Sequence, residues 1–200
     1  MSEAPVITGQ RVAAIGPGRL ILVVGPSGAG KDTLLGLAKA ACADDGNVVF
    51  PRRLITRESS ASEDNEEVSA EAFQRALANG DYAMHWEAHG HRYALSRTID
   101  DDIRAGRAVI ANVSRTVIAA TRRNYANVVV VSITAPPDVL ASRLAMRARV
   151  SDGRLEQRLA RTVDETTATP DFTIVNSGVA DYHARQLVRI IKGERWDSQN

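Results

Sequence analysis

The sequence predicts an α/β fold in which a parallel sheet carries helices on both faces. Short apolar runs at residues 20–24, 108–111 and 128–133 show no polar alternation, the pattern of strands buried on both faces of a parallel sheet. Segments of helical spacing alternate with these runs, as connections between parallel strands require. A glycine-rich turn, Gly25-Pro26-Ser27-Gly28-Ala29-Gly30-Lys31, follows the first run at once and opens the first helix.

In chain order, residues 1–18, with Pro5, Gly16, Pro17 and Gly18, read as a flexible tail, and residues 19–193 as one domain. A chain of 200 residues suffices for one domain of this class and is short for two. The helix after the glycine-rich turn covers 33–41. Residues 48–50 start a second strand, which 52–57 continues or adjoins. Residues 59–67 are polar and acidic with no apolar anchor, and predict a mobile surface loop. A short amphipathic helix over 70–78 stops at Asn79-Gly80, and 82–86 and 92–95 predict two strands joined through Gly90. The helix between the strands at 108–111 and 128–133 carries Val117 and Ile118. Pro136-Pro137 opens a helix reaching about 149, proline being tolerated in a first turn. Ser151-Asp152-Gly153 breaks it, a helix follows over 155–166, and a strand at 172–175 precedes a last helix at 179–192.

Composition narrows the function. The chain is 44% hydrophobic and 24% charged, like an ordinary globular protein, and its formal charge of +1 argues against a protein that coats nucleic acid. Of the 25 basic residues only Lys31, Lys39 and Lys192 are lysines, which leaves 22 arginines. Arginine offers a rigid fork of donors that matches phosphate oxygens in pairs, although a coding bias would produce the same excess. One cysteine, Cys42, excludes a disulfide framework and reads as a small core residue. No secretory signal and no apolar stretch long enough to span a bilayer is seen, so a cytoplasmic protein without a membrane role is expected.

The glycine-rich turn has the spacing G-x-x-x-x-G-K of a phosphate-binding P-loop, in the strand-to-helix setting that such a loop needs. Glycines let backbone N–H groups converge on a phosphate, the helix N-terminus adds partial positive charge, and Lys31 reaches the β- and γ-phosphates of ATP. The position after the lysine ordinarily carries a hydroxyl that binds Mg²⁺. Here it is Asp32, followed by Thr33; a carboxylate could bind the metal or cap the helix, and the metal role is favoured.

The stretch Gly25-Pro-Ser-Gly-Ala-Gly-Lys-Asp-Thr-Leu-Leu35 resembles guanylate kinases, and the likeness extends over most of 19–192. Leu54-Ile-Thr-Arg57 looks like the segment that holds the acceptor phosphate in those enzymes. Ser132-Ile-Thr-Ala-Pro-Pro137 with Arg143, Leu144 and Arg147 looks like the strand and helix leading into their lid. Glu156-Gln-Arg158-Leu-Ala-Arg161 looks like the lid's return arm, and the strand end at Asn176 like the loop flanking the adenine. The resemblance implies a P-loop nucleoside-monophosphate-kinase-like three-layer fold with a small substrate-side insertion (about 57–95) and a lid (about 147–158).

Two guanylate kinase features are missing. No arginine follows in Glu58-Ser-Ser-Ala-Ser-Glu63, and 108–113 contains no acid; Asn112-Val113-Ser114-Arg115 stands there instead. Asp32, the Ile-Thr-Arg segment, Trp86 with His89-Gly90 and Tyr93, and Asn-x-Ser-Arg together resemble ribose 1,5-bisphosphate phosphokinases of phosphonate degradation. Ala94 departs from that pattern. What this implies is transfer of the ATP γ-phosphoryl group to the 1-phosphate of ribose 1,5-bisphosphate, giving 5-phosphoribosyl 1-diphosphate.

A phosphate acceptor is already a nucleophile, so catalysis reduces to positioning and charge neutralisation, and a bisphosphate needs two anion sites. Arg57 is a candidate for one, Arg115 with Ser114 for the other, and Arg53 could face the same side as Arg57 by strand alternation. Lys31, Arg147 and Arg158 are the candidate catalytic groups, the two arginines closing over the γ-phosphate and excluding water. Trp86, His89, Tyr93 and Asn112 are candidates for the sugar pocket, and Asn176 for the nucleotide.

His85-Trp-Glu-Ala-His89-Gly-His91 lacks the zincin spacing. Asp100-Asp101-Asp102 begins a helix whose dipole acids complement, and Arg122-Arg123 reads as a solvated face. The alternatives are a nucleoside monophosphate (guanylate) kinase and a catalytically dead interaction module, the latter disfavoured by intact Lys31. The sequence leaves a homodimer open.

Overall fold

The residues of the first apolar run are buried because alternate ones face two different cores. The computed structural model describes residues 13–58, 64–148 and 169–194. In it β1 (Arg19–Val24) is the middle strand of a five-stranded sheet with β2 (Val48–Val49), β7 (Ala108–Asn112), β8 (Val128–Thr134) and β9 (Phe172–Val175). The order is β2–β7–β1–β8–β9, and each neighbouring pair is parallel. Leu20, Leu22 and Val24 face a core shared with Val109, Ala111, Ile103 and Ile118. Ile21 and Val23 face the opposite core, with Leu34, Ala38, Leu187 and Ile191. Each fully buried Leu or Ile contributes roughly 1.5–3 kcal/mol.

Helices α1 (Lys31–Ala41) and α6 (Ala180–Lys192) cover the second face, while α3 (Ile99–Arg104) and α4 (Ile118–Asn124) lie against the first. Helix α5 (Pro137–Ala148) starts at the expected prolines. Together with the parallel sheet these make the expected α/β three-layer fold.

A second sheet holds β4 (Asn65–Glu67), β3 (Arg53–Ile55), β6 (His91–Ser96) and β5 (Tyr82–Ala88), in the order β4–β3–β6–β5. β5 and β6 form a hairpin closed by His89 and Gly90, both at positive φ (54° and 75°). Such a two-residue turn matches the right-handed twist of the strands. α2 (Ala70–Asn79) is capped by Ser69, whose Oγ accepts from the Ala72 N–H at 3.1 Å, and its Phe73 packs on Tyr82 with ring centroids 4.8 Å apart.

Two expectations are corrected and one is narrowed. The tail does not extend to residue 18: Ile15 pairs with Tyr125, and the Gly18 N–H donates to the Ile103 carbonyl at 2.9 Å. Of the two readings of 52–57, continuing or adjoining the strand at 48–50, the first is excluded, because β2 belongs to the parallel sheet and β3 to the other. Residues 65–67 are strand rather than loop. Asn65 is 5% exposed, and its polarity is met from inside by Arg53 Nε on Oδ1 (3.0 Å) and Arg52 Nη2 on its carbonyl (2.6 Å).

Of the acidic triplet, Asp100 is 2% exposed and accepts a hydrogen bond from the Tyr125 hydroxyl, while Arg97 lies 3.6 Å away. Burial, then Asp100, pushes the Tyr125 hydroxyl well above the ordinary phenol range. The stability linked to this raised value is present in full below about pH 10 and is lost as pH rises further. Tyr125→Phe leaves Asp100 without its buried donor and should cost about 1–3 kcal/mol in urea unfolding at pH 7. The variant should also lack part of the wild-type loss of stability above about pH 10. Tyr182→Phe, at an exposed position, should change neither.

Candidate active site

The phosphate-binding turn leaves β1 at Gly25 and enters α1 at Lys31. Gly25, Gly28 and Gly30 have φ of 146°, 85° and 86°, a region that residues with a side chain rarely adopt. A methyl group at Gly25 would overlap the carbonyl oxygen of Ile133 on β8, and one at Gly30 would overlap the Asn176 amide. Lys31 Nζ donates to the carbonyls of Gly25 (2.9 Å) and Pro26 (3.0 Å), which folds the ammonium back over its own turn. Ala29 is fully buried and Thr33 exposed on α1. Pro26 and Ser27 complete the turn.

Asn176, expected beside the nucleotide, follows the end of β9 and ties its loop to this turn. Its Nδ2 donates to the Ala29 carbonyl at 2.8 Å, and its backbone N–H to Thr134 O at 2.7 Å. Its Oδ1 is buried with no hydrogen-bond partner among the described residues.

Arg143 on α5 was not among the residues singled out for the site. It donates to the carbonyls of Asn176 (3.2 Å) and Gly28 (3.4 Å), bridging the nucleotide turn and the β9 loop. The signal was present: Arg143 precedes Arg147 by four residues, one helical turn on the same face. Arg147 lies on α5, and Arg158 lies outside the described residues, as does most of the segment expected to form the lid.

On the other side of the turn, Asp32 Oδ1 accepts from Asn112 Nδ2 at 2.9 Å, at the end of β7, and stands 3.6 Å from Arg53 Nη2. This brings together three of the sequence-predicted residues, Asp32, Arg53 and Asn112. They share a pocket with Leu35, Lys39 and Asp64. Lys39 is ion-paired to Asp64, and that hydrogen bond holds the Asp64 carboxyl below its usual range.

The remaining candidates are placed elsewhere. β3 ends at Ile55, so strand alternation does not carry Arg57 to Arg53; Arg57 Nε lies 3.5 Å from Tyr93 Oη, at the long limit of a hydrogen bond. Tyr93 is the cross-strand neighbour of Trp86, and their rings stack at 5.6 Å and 6°. Both are 8% exposed within the first core, which gives Trp86 a packing role. His89 makes the hairpin turn. Ser114 caps a 3-10 turn over Arg115–Val117, accepting from the Thr116 N–H at 3.3 Å; Ser114 and Arg115 are not among the residues lining the pocket.

A strand-turn-helix cradle of this kind, on a five-stranded parallel sheet, marks a P-loop nucleotide-binding fold. The chain belongs to the guanylate kinase family, whose model matches residues 17–194. Within it, 196 aligned residues are 65% identical to the ribose 1,5-bisphosphate phosphokinase PhnN of Bradyrhizobium diazoefficiens, covering 98% of this chain and 99% of that one. The protein of the same description from Rhodopseudomonas palustris is 59% identical over 93% of this chain and 94% of its own. Among solved structures, guanylate kinase from Anaplasma phagocytophilum superimposes with a TM-score of 0.63 over 92% of this chain and 89% of that one. At 21% identity this likeness shows the fold alone. No helix among the described residues is long and apolar enough to cross a membrane.

Gly25→Ala must adopt a disfavoured φ and displace β8. It should cost at least about 1–3 kcal/mol in unfolding free energy from backbone strain, and ATP should raise the melting temperature of the wild type but not of the variant.

Proposed function

We propose that the chain transfers the γ-phosphoryl group of ATP to the 1-phosphate of ribose 1,5-bisphosphate, giving 5-phosphoribosyl 1-diphosphate. The observation that carries this reading is the character of the acceptor side: Asp32 is held by Asn112 where β7 ends, beside Arg53, with no acid on β7 to read a purine. Likeness over nearly the whole chain, at 65% and 59% identity, to relatives named ribose 1,5-bisphosphate phosphokinase supports it.

The residues fit the group that the family implies. The turn has the glycine conformations a phosphate needs, and Lys31 can exchange its two carbonyl partners for β- and γ-phosphate oxygens. Asp32, fixed by Asn112, would hold Mg²⁺ with Thr33 beside it; the metal, when bound, neutralises phosphate charge. Arg57 with Tyr93 would hold the acceptor phosphate, and Arg143 would fix the nucleotide turn against the β9 loop. Arg147 and Arg158 would close from the lid, about 147–158, and exclude water, since hydrolysis of ATP competes with transfer. A cytoplasmic location, where ATP is available, follows from the same reading.

Phosphorus NMR of the protein with ATP, Mg²⁺ and ribose 1,5-bisphosphate should show a sugar diphosphate, with GMP unreactive in a parallel sample. Lys31→Ala should lower the rate at least about 100-fold. GDP formation without sugar diphosphate would overturn the reading in favour of a guanylate kinase. Asp32→Asn should raise the Mg²⁺ concentration needed for half-maximal rate.

A further inference from the structure

The pocket beside Asp32 runs along α1 away from the phosphate-binding turn, between that helix and the start of β3. Its volume is about 130 Å³, and Asp32, Asn112, Arg53, Lys39 and Asp64 supply its polar groups. Lys39 is seven residues beyond Asp32 on α1, two helical turns or about 10 Å along the axis. Lys39 and Asp64 thus mark one end of the pocket and Asp32 and Asn112 the other, and the Arg53 guanidinium spans the interval, with Nη2 3.6 Å from Asp32 and Nε on Asn65, the neighbour of Asp64.

Two features of this pocket are unusual. The Arg53 side chain is 16% exposed, yet among the described residues its guanidinium makes one hydrogen bond, Nε to Asn65 Oδ1. Its nearest carboxylate, Asp32, is 3.6 Å away, beyond good hydrogen-bond distance. A largely buried cation with unused donors costs stability unless a ligand completes it. Second, the Asp64 carboxylate sits between two cations, Lys39 Nζ and Arg52 Nε, the latter at 3.0 Å. All three side chains are at least half exposed, where an ion pair contributes little to stability.

We propose that this end of the pocket is the subsite for the acceptor's second, non-reacting phosphate, held by Lys39 and Arg53, and that Asp64 occupies Lys39 until the phosphate displaces it. The inference rests on the function proposed above and names where the far end of the substrate goes. A dianionic phosphate outcompetes a monoanionic carboxylate for the same ammonium and adds the unused donors of Arg53. Arg57 is thereby left for the reacting phosphate. The subsite also gives a specificity rule: an acceptor whose far end is a neutral base leaves Arg53 uncompensated and Asp64 in place.

Ribose 5-phosphate carries only the far phosphate, so calorimetric titration with it probes this subsite apart from chemistry. Lys39→Ala should weaken its binding roughly 10- to 100-fold and raise KM for ribose 1,5-bisphosphate similarly, with KM for ATP unchanged. Asp64→Asn, which removes the competing charge, should tighten the binding of ribose 5-phosphate and lower KM for the bisphosphate. A salt bridge that only fastened β4 to α1 would make the two variants behave alike. Equal effects of the same sign, or no effect of Lys39→Ala, would overturn the subsite. Wild-type protein that binds ribose 5-phosphate through Lys39 but makes no sugar diphosphate would sink the proposed reaction and leave the subsite standing.

Discussion

The clearance between Gly25 and the Ile133 carbonyl is the constraint on which the site depends. β1 and β8 run parallel in register from Leu20 with Val128 to Val24 with Ser132, so the chain leaving β1 emerges directly against β8. Only a residue without a side chain can turn there. That turn aims successive N–H groups at one point and starts α1 where its dipole adds to them. The same register carries β8 on toward α5, whose Arg143 returns to the turn, and pairs it with β9, whose end places Asn176 under Ala29. Three stretches of sequence, β1 through α1, β8 through α5, and β9 with Asn176, thus meet at the phosphate-binding turn because two strands fit with no room to spare.

On the acceptor side polar contacts take over. Asp32, Asn112, Arg53 and Asn65 join α1, β7, β3 and β4 through hydrogen bonds and one longer ion contact. The second sheet is fastened to the first by apolar packing beneath, through Trp86, Tyr93 and Leu95, and by this polar chain above. A site that must accept a highly charged substrate cannot be sealed by hydrocarbon alone, and the arrangement keeps charge where the substrate arrives.

What could be read from the sequence divides along the same line. Strands β1, β7 and β8 were legible because burial on both faces writes a continuous apolar run, and the phosphate-binding turn because its glycines, lysine and flanking elements occur at fixed spacing. Residues 65–67 were not, since a strand whose inward group is an asparagine answered by arginine leaves no apolar alternation to detect. Arg143 was visible only as part of a familiar helix, its carbonyl partners being 115 and 33 residues away. His89 and Trp86 entered the candidate site through the family resemblance alone, and the structure places them in a hairpin turn and a cross-strand stack. Asp32 with Asn112 was the reverse case, two positions 80 residues apart that were each suspected and do meet.

Arg19 opens β1, at the end of that central strand away from the phosphate-binding turn, and its guanidinium donates to the carbonyls of Ile190 and Ile191 at the end of α6. The start of β1 and the end of α6 are therefore stapled side by side, at the end of the sheet away from the phosphate-binding turn. A short linker could join them and new ends be opened in a surface loop, giving a circular permutant with the substrate face undisturbed. By the same geometry, a second domain fused behind α6 would project from the rear and not obstruct the front.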